Sequence, residues 1–234
     1  MTGDDATFAG RLAAVRARIA DACHAAGRDP AAVRLLPVSK TFGTDAVLEA
    51  VAAGERRFGE NKVQEIQAKA SALAAEHLDW VVIGHLQTNK AKAVARYASE
   101  VQSLDRIDLA VALDKALQAQ GRALDVLVQL KTSTEPSKSG LDPASLLDFL
   151  HELRSFPSLN VRGLMTLAEA SDDEAVVRRC FRDLYQWRDR ARHAGYAVDR
   201  LSMGMSGDFA LAIAEGSDEI RIGSALFGQR RYTP

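Results

Sequence analysis

A lysine, an arginine and two short Gly/Ser turns are the groups in this sequence best suited to chemistry. Lys40 ends the apolar run LLPVSK. Side chains alternate along a strand, so Leu36, Val38 and Lys40 share one face. If that face lines a cavity, the ammonium loses solvation, its pKa falls, and the amine becomes a nucleophile toward aldehydes. A solvated lysine at a strand end is the plainer reading of the same position. Arg221 lies in EIRIGSALFG. There Ile220 and Ile222 take one face and Glu219, Arg221 and Gly223 the other. An inward guanidinium needs a partner, either a strand carboxylate or a ligand atom.

Two segments suit an anion. Gly223, Ser224 and Ala225 offer backbone N–H groups and a hydroxyl with little bulk. In LSMGMSGDFALAIAEG, Ser206 and Gly207 precede a helical stretch with Asp208 in its first turn. That is an anion seat or a plain helix cap. Asn61, in GENKVQE, would meet a ligand hydroxyl or cap the next helix. His85, in IGHLQTNK, has the parity of Val81 and Ile83, and is read as packing on a planar ligand or as a core histidine. No HExxH, zinc-spaced Cys/His set, Walker A or GxSxG occurs, and no metal site is expected.

These groups need elements to carry them. Phe8, Leu12, Val15, Ile19 and Ala22 predict an amphipathic first helix, ended by Gly27. Eight apolar runs then alternate with helical stretches. The runs are Arg34–Lys40, Arg57–Asn61, Trp80–Leu86, Glu100–Asp105, Leu124–Lys131, Val161–Leu167, Arg200–Met205 and Glu219–Phe227. Alternation implies parallel strands with right-handed crossovers, and eight is the number that closes a barrel. The expected fold is α/β: one TIM-type (β/α)8 barrel over residues 1–234, preceded by an extra N-terminal helix. An open doubly wound sheet ranks second, because SKTFGTD after the first strand is not GxGxxG. Barrel chemistry sits at the C-terminal strand ends, and phosphate sites favour the loops after strands seven and eight. Both loops here carry Gly and Ser.

Composition agrees with one soluble domain. The 234 residues are 47% hydrophobic and 26% charged, with a net charge of −1. That balance gives no pull toward nucleic acid or anionic membrane. No apolar run reaches the length of a membrane span, and the acidic start MTGDDATFAG is unlike a signal peptide. The two cysteines, Cys23 and Cys180, form no redox motif. A cytoplasmic monomer is expected.

The segments VSKT (38–41), FGEN (58–61), IGHLQTNK (83–90), SKSG (137–140), RGLM (162–165), LSMGMSGD (201–208) and RIGSALFG (221–228) follow one another in order. Together they resemble the pyridoxal-phosphate homeostasis protein family, short relatives of the alanine racemase barrel domain. The resemblance runs from about Leu35 to Tyr232. It implies pyridoxal 5′-phosphate (PLP) bound as an internal aldimine on Lys40. Ser206, Gly223 and Ser224 would hold the phosphate, Arg221 would face the pyridine nitrogen, and Asn61 would lie near the ring's 3-hydroxyl. His85, Ser202 and Met203 would line the ring pocket. One position departs from the family pattern: Lys62 stands where an aromatic is common after GEN.

The resemblance implies PLP homeostasis, meaning buffering of a reactive aldehyde and supply to apo-enzymes, without robust catalysis and with no catalytic residue assigned. The alternative is a low-activity PLP-dependent amino-acid racemase. Full alanine racemases add a β-rich domain, and this chain runs only to QRRYTP after the eighth run. Two-base racemisation needs a proton carrier on each face of the carbanion, and nothing here clearly supplies the second. A third reading, an aldolase-type phosphate-sugar enzyme using Lys40 without PLP, also fits a lysine in a barrel mouth.

Overall fold

The computed structural model describes residues 7–136 and 138–228. Ser137 of the SKSG segment and residues 229–234 lie outside the described residues. Strands β1 (Arg34–Pro37), β2 (Arg57–Glu60), β3 (Asp79–Val82), β4 (Glu100–Leu104), β5 (Leu124–Gln129), β6 (Leu159–Met165), β7 (Arg200–Ser202) and β8 (Glu219–Ile222) form one sheet. Its order is β1-β8-β7-β6-β5-β4-β3-β2, with every ladder parallel. The ring closes between β1 and β2 through a single bridge, Val38 to Gly59. This is the expected TIM-type barrel.

Helices α1 (Phe8–Ala25), α2 (Thr44–Ala52), α3 (Val63–Ala72), α4 (Ala91–Tyr97), α5 (Ile107–Gln118), α6 (Leu146–Leu153), α7 (Glu174–His193), α8 (Phe209–Ala214) and α9 (Ser224–Phe227) surround it. The expected local signals hold. Gly27 turns the chain after α1 at φ 66°, a conformation glycine adopts without Cβ strain. Asp142 caps the turn at Pro143 by accepting from the Ala144 N–H at 3.0 Å. Strand ends are shorter than read from the sequence. β1 ends at Pro37, with only the Val38 bridge beyond it, so Lys40 lies in the following loop. β8 stops at Ile222, and Ser224–Phe227 turn into helix where continued strand was expected.

The strand face that meets the helices is apolar. Phe58, Trp80, Val82, Val101, Val126, Leu164, Leu201, Ile220 and Ile222 pack on Val47, Ile66, Leu109, Leu113, Phe181 and Leu184 in the main core. The opposite parity points into the barrel, where Leu36, Val38, Val81, Leu127 and Met165 are buried. The barrel floor is charged. Arg34, Arg57, Glu100, Arg200 and Glu219 are each the first residue of a strand. Arg57 donates to Glu219 at 2.6 Å and to Glu100 at 2.8 Å, while Arg34 and Arg200 pair with the same two carboxylates. α1 completes the outer layer where α9 is only four residues long, packing on α8, α9 and α2. No helix among the described residues is long and apolar enough to cross a membrane.

Candidate functional site at the barrel mouth

Opposite the charged floor, the C-terminal strand ends surround a cavity of about 850 Å³. Lys40, Asn61, His85, Ser206, Arg221, Gly223 and Ser224 all line it, so the fold brings together seven of the nine residues expected there. Lys40 is half-buried rather than sealed in.

Arg221 is the most constrained of them. It is 3% exposed, yet it borders the cavity. Its Nη1 donates to Ser202 Oγ at 2.7 Å and its Nη2 to the Thr166 carbonyl at 2.8 Å. No strand carboxylate is hydrogen-bonded to it among the described residues: Glu219, two residues earlier on the same strand, bonds to Arg57 and Gln102. Burial pulls the guanidinium down to about 10, opposed by the nearby charges of Glu219 and Asp208. Arg221 therefore stays charged at neutral pH, and a guanidinium with five N–H groups keeps donors for the cavity after two hydrogen bonds.

Ser202 and Met203 do not line the cavity, contrary to expectation. Ser202 is fully buried beneath Arg221, linking it to Gln102, whose side chain bonds on to Glu100 and Glu219. Met203 has the opposite parity and is buried in the helix-facing core. Met205, two residues further on, reaches the mouth instead.

The two anion turns differ in detail from the sequence reading. Asp208 is the cap of α8 rather than a first-turn residue, and its Oδ1 accepts from the Met205 N–H at 2.5 Å. Burial pushes the Asp208 carboxyl up, against the Met205 hydrogen bond and Arg221. In the second turn Gly223 precedes α9, whose first N–H groups, at Ser224 and Ala225, have no carbonyl one turn earlier. A Cβ on Gly223 would sit 3.2 Å from the Val38 carbonyl oxygen, so the turn lies tight against β1.

On the other side, Asn61 is exposed, and the helix it was considered to cap starts instead after Lys62. Lys62 itself is exposed and outside the lining, so the departure from the family pattern leaves the cavity wall untouched. Gly84 lets β3 approach Asn61, since a Cβ there would meet the Asn61 carbonyl oxygen at 2.4 Å. His85 is no core histidine: its side chain is half-exposed, with Nδ1 3.9 Å from Asp105 Oδ2.

Several residues beyond the nine expected also line the cavity. Phe42 and Leu167 come from the loops after β1 and β6, Lys138 and Ser139 from the loop after β5, and Gln129 is the last residue of β5 itself. Gln129 was visible as a polar residue at an inward strand end. Lys138 donates to the Ala168 carbonyl at 3.0 Å, a contact across two loops that no local pattern announces. Among the described residues, no three His, Cys, Asp or Glu side chains converge as a metal site.

Comparison with known proteins agrees with this architecture. The family model for the alanine racemase N-terminal domain matches residues 11–231. A protein from Pseudomonas aeruginosa named pyridoxal phosphate homeostasis protein is 43% identical over 97% of both chains. PipY of Synechococcus elongatus, solved with PLP bound, is 35% identical with a TM-score of 0.84, over 95% of this chain and all of that one. Alanine racemase from Streptomyces coelicolor is only 18% identical (TM-score 0.72), and 94% of this chain overlays 59% of it, which shows a shared fold alone. With a motif-bearing barrel, a lysine at its mouth and matches across nearly its full length, the chain belongs to the alanine racemase N-terminal domain family and, within it, to the pyridoxal phosphate homeostasis proteins.

Proposed function

We propose that this chain binds PLP in the barrel-mouth cavity, holds its aldehyde through Lys40, and keeps the cofactor in reserve for apo-enzymes. One observation carries the reading: Lys40, Arg221 and the Ser206 and Ser224 turns converge on a single cavity. The donor set suits the group. Lys40 is the amine, the two turns offer hydroxyls and N–H groups to a phosphate, and Arg221 offers N–H donors to a ring nitrogen. Asn61 meets the ring hydroxyl, and His85 flanks the ring. The name of the Pseudomonas relative and the PLP-bound PipY structure support the same reading.

PLP supplies an aldehyde and, in enzymes, an electron sink. Arg221 argues against strong use of that sink, because a charged guanidinium donates to a pyridine nitrogen and leaves it without a proton. We therefore read the chain as a carrier. A low-activity racemase is the second reading, for which His85, with its Nδ1 3.9 Å from Asp105 Oδ2, would be the second proton carrier. We also propose a single domain acting as a monomer in the cytoplasm. Among the described residues, the large exposed apolar side chains, Leu48, Val111, Tyr185 and Met205, sit on four separate segments.

The test is to load the protein with PLP, follow its visible absorption, fix the adduct with borohydride and map the peptides. Pyridoxyl on Lys40 is expected. A protein that stays colourless, or an adduct mainly on Lys62, Lys90 or Lys138, would refute the site. Incubating the same preparation with single amino-acid enantiomers should give no appreciable racemisation. Turnover that survives purification and vanishes in Lys40→Ala would favour the racemase.

A further inference from the structure

Between β2 and α3, in contact with the residues on either side of Lys40, lies a buried ion pair that the site chemistry does not use. Lys69 of α3 is 6% exposed and Glu60, the last residue of β2, is 0% exposed. Lys69 Nζ donates to Glu60 Oε1 at 2.5 Å and to the Ser39 carbonyl at 2.9 Å. Ser39 Oγ donates to the same Glu60 oxygen at 2.6 Å. On the other side of Lys40, the Thr41 N–H donates to Glu65 Oε2 at 2.8 Å, and that oxygen lies 3.5 Å from Lys69. Thr41 is held at φ 69°, a left-handed conformation that is costly for a β-branched residue.

These contacts fall at the seam of the barrel. β1 and β2 are joined by the Val38–Gly59 bridge and by the Ser39 N–H bonding to the Gly59 carbonyl at 3.1 Å. With so thin a backbone ladder, side chains from β2 and α3 hold the loop instead. We infer that the Lys69–Glu60 pair, with Glu65, is a positioning device: it clamps Ser39 and Thr41 to β2 and α3 so that Lys40, between them, is aimed into the cavity.

Stability alone is a weak reason for such a pair. Desolvating two charges costs about as much as their attraction returns, and an apolar pair of similar volume commonly packs as well. Glu60 Oε2 is moreover buried with no hydrogen-bond partner, a cost an apolar pair would avoid. The contacts these residues make are with the neighbours of Lys40, which is where a positioning role requires them.

The inference rests on Lys40 as the attachment point, where amine and aldehyde join with loss of one water. Two ligands separate aim from general fit. PLP reports on the seat and on Lys40 together. Pyridoxine 5′-phosphate, an alcohol at the aldehyde carbon, reports on the seat alone. In the full chain, Lys69→Met should weaken PLP retention about tenfold and slow borohydride fixation at Lys40, while pyridoxine 5′-phosphate affinity stays within about twofold. Glu60→Gln, which keeps size and the Ser39 contact, should shift both readouts in the same direction, and Lys69→Arg should restore part of the loss. If Lys69→Met does not fold, Glu60→Gln carries the test. Equal weakening of both ligands, or no change in either, overturns the positioning role. If wild type and Lys40→Ala hold PLP alike, the reading of the site falls, and this inference with it.

Discussion

At the scale of single residues, the cavity lining sets one buried cation, Arg221, and two half-buried amines, Lys40 and Lys138, beside the neutral Gly/Ser turns. Hydrogen bonds to a charged oxygen contribute about 1.5–3 kcal/mol when the donor is well placed. Ser206→Ala with Ser224→Ala removes two hydroxyls from the lining without touching the fold, so PLP dialysis half-life should fall by at least about tenfold. Unchanged retention would place the phosphate elsewhere. Residues of this kind were legible because strand parity and turn composition are local signals. Ser202 and Met203 show the limit: motif resemblance placed both in the lining, but adjacent residues on a strand face opposite ways, and neither lines it. Lys69 was not legible at all. Nothing local ties it to Ser39, thirty positions earlier, and only the packing of α3 against β2 brings them together.

At the scale of elements, the unexpected part is how α1 serves the site. Phe8 of α1 packs on Phe227 of α9 at 5.1 Å between ring centroids, and Phe227 stacks on Phe42 at 5.2 Å. Arg11 Nε also donates to the Leu226 carbonyl at 2.6 Å. The first helix thus braces both the α9 turn and the loop that follows Lys40. Sequence periodicity found α1 and every strand, but not this junction, because aromatic contacts between segments so far apart in the chain leave no periodic trace. Strand ends were also overdrawn at β8, where a Gly followed by short residues reads as extended chain yet folds as a helical turn. Phe227→Ala should cost about 3–5 kcal/mol, lowering Tm by roughly 10 °C. It should also weaken PLP retention, since two walls of the cavity lose their brace. The exposed Val111→Ala serves as control and should shift stability by less than about 0.5 kcal/mol. Equal effects of the two would show that the aromatic junction is dispensable.

At the scale of the molecule, the barrel has a sealed end and an open one. The mouth holds the cavity, while the floor is tied by the first residues of five strands. The same network climbs through Gln102 and Ser202 to Arg221, so the charge state of the floor is coupled to the anchoring of the site. Glu219 is its hub. Burial alone would push its carboxyl up, but Arg57, Arg34 and the Gln102 hydrogen bond outweigh that and hold it below the ordinary carboxylate value. A carboxyl depressed in the folded state contributes stability that is complete above its unfolded pKa and is lost as pH falls through the folded one. Glu60 runs the other way. Its carboxyl is pushed up by burial despite Lys69 and Ser39, so its contribution is present at low pH and fades as pH rises through its raised value. The acid-side loss must therefore come from Glu219-type groups and not from Glu60. Glu219→Gln should destabilise the protein near neutral pH by about 3 kcal/mol, the low end for breaking a buried pair, because Arg57 keeps Glu100. As pH falls below the ordinary glutamate value of about 4.3, the variant should then lose stability less steeply than wild type, because the titrating group is gone. Urea unfolding at stepped pH measures both curves. Parallel slopes would show that Glu219 is not the carboxylate that sets acid stability, and that the floor is held together by packing rather than by its charges.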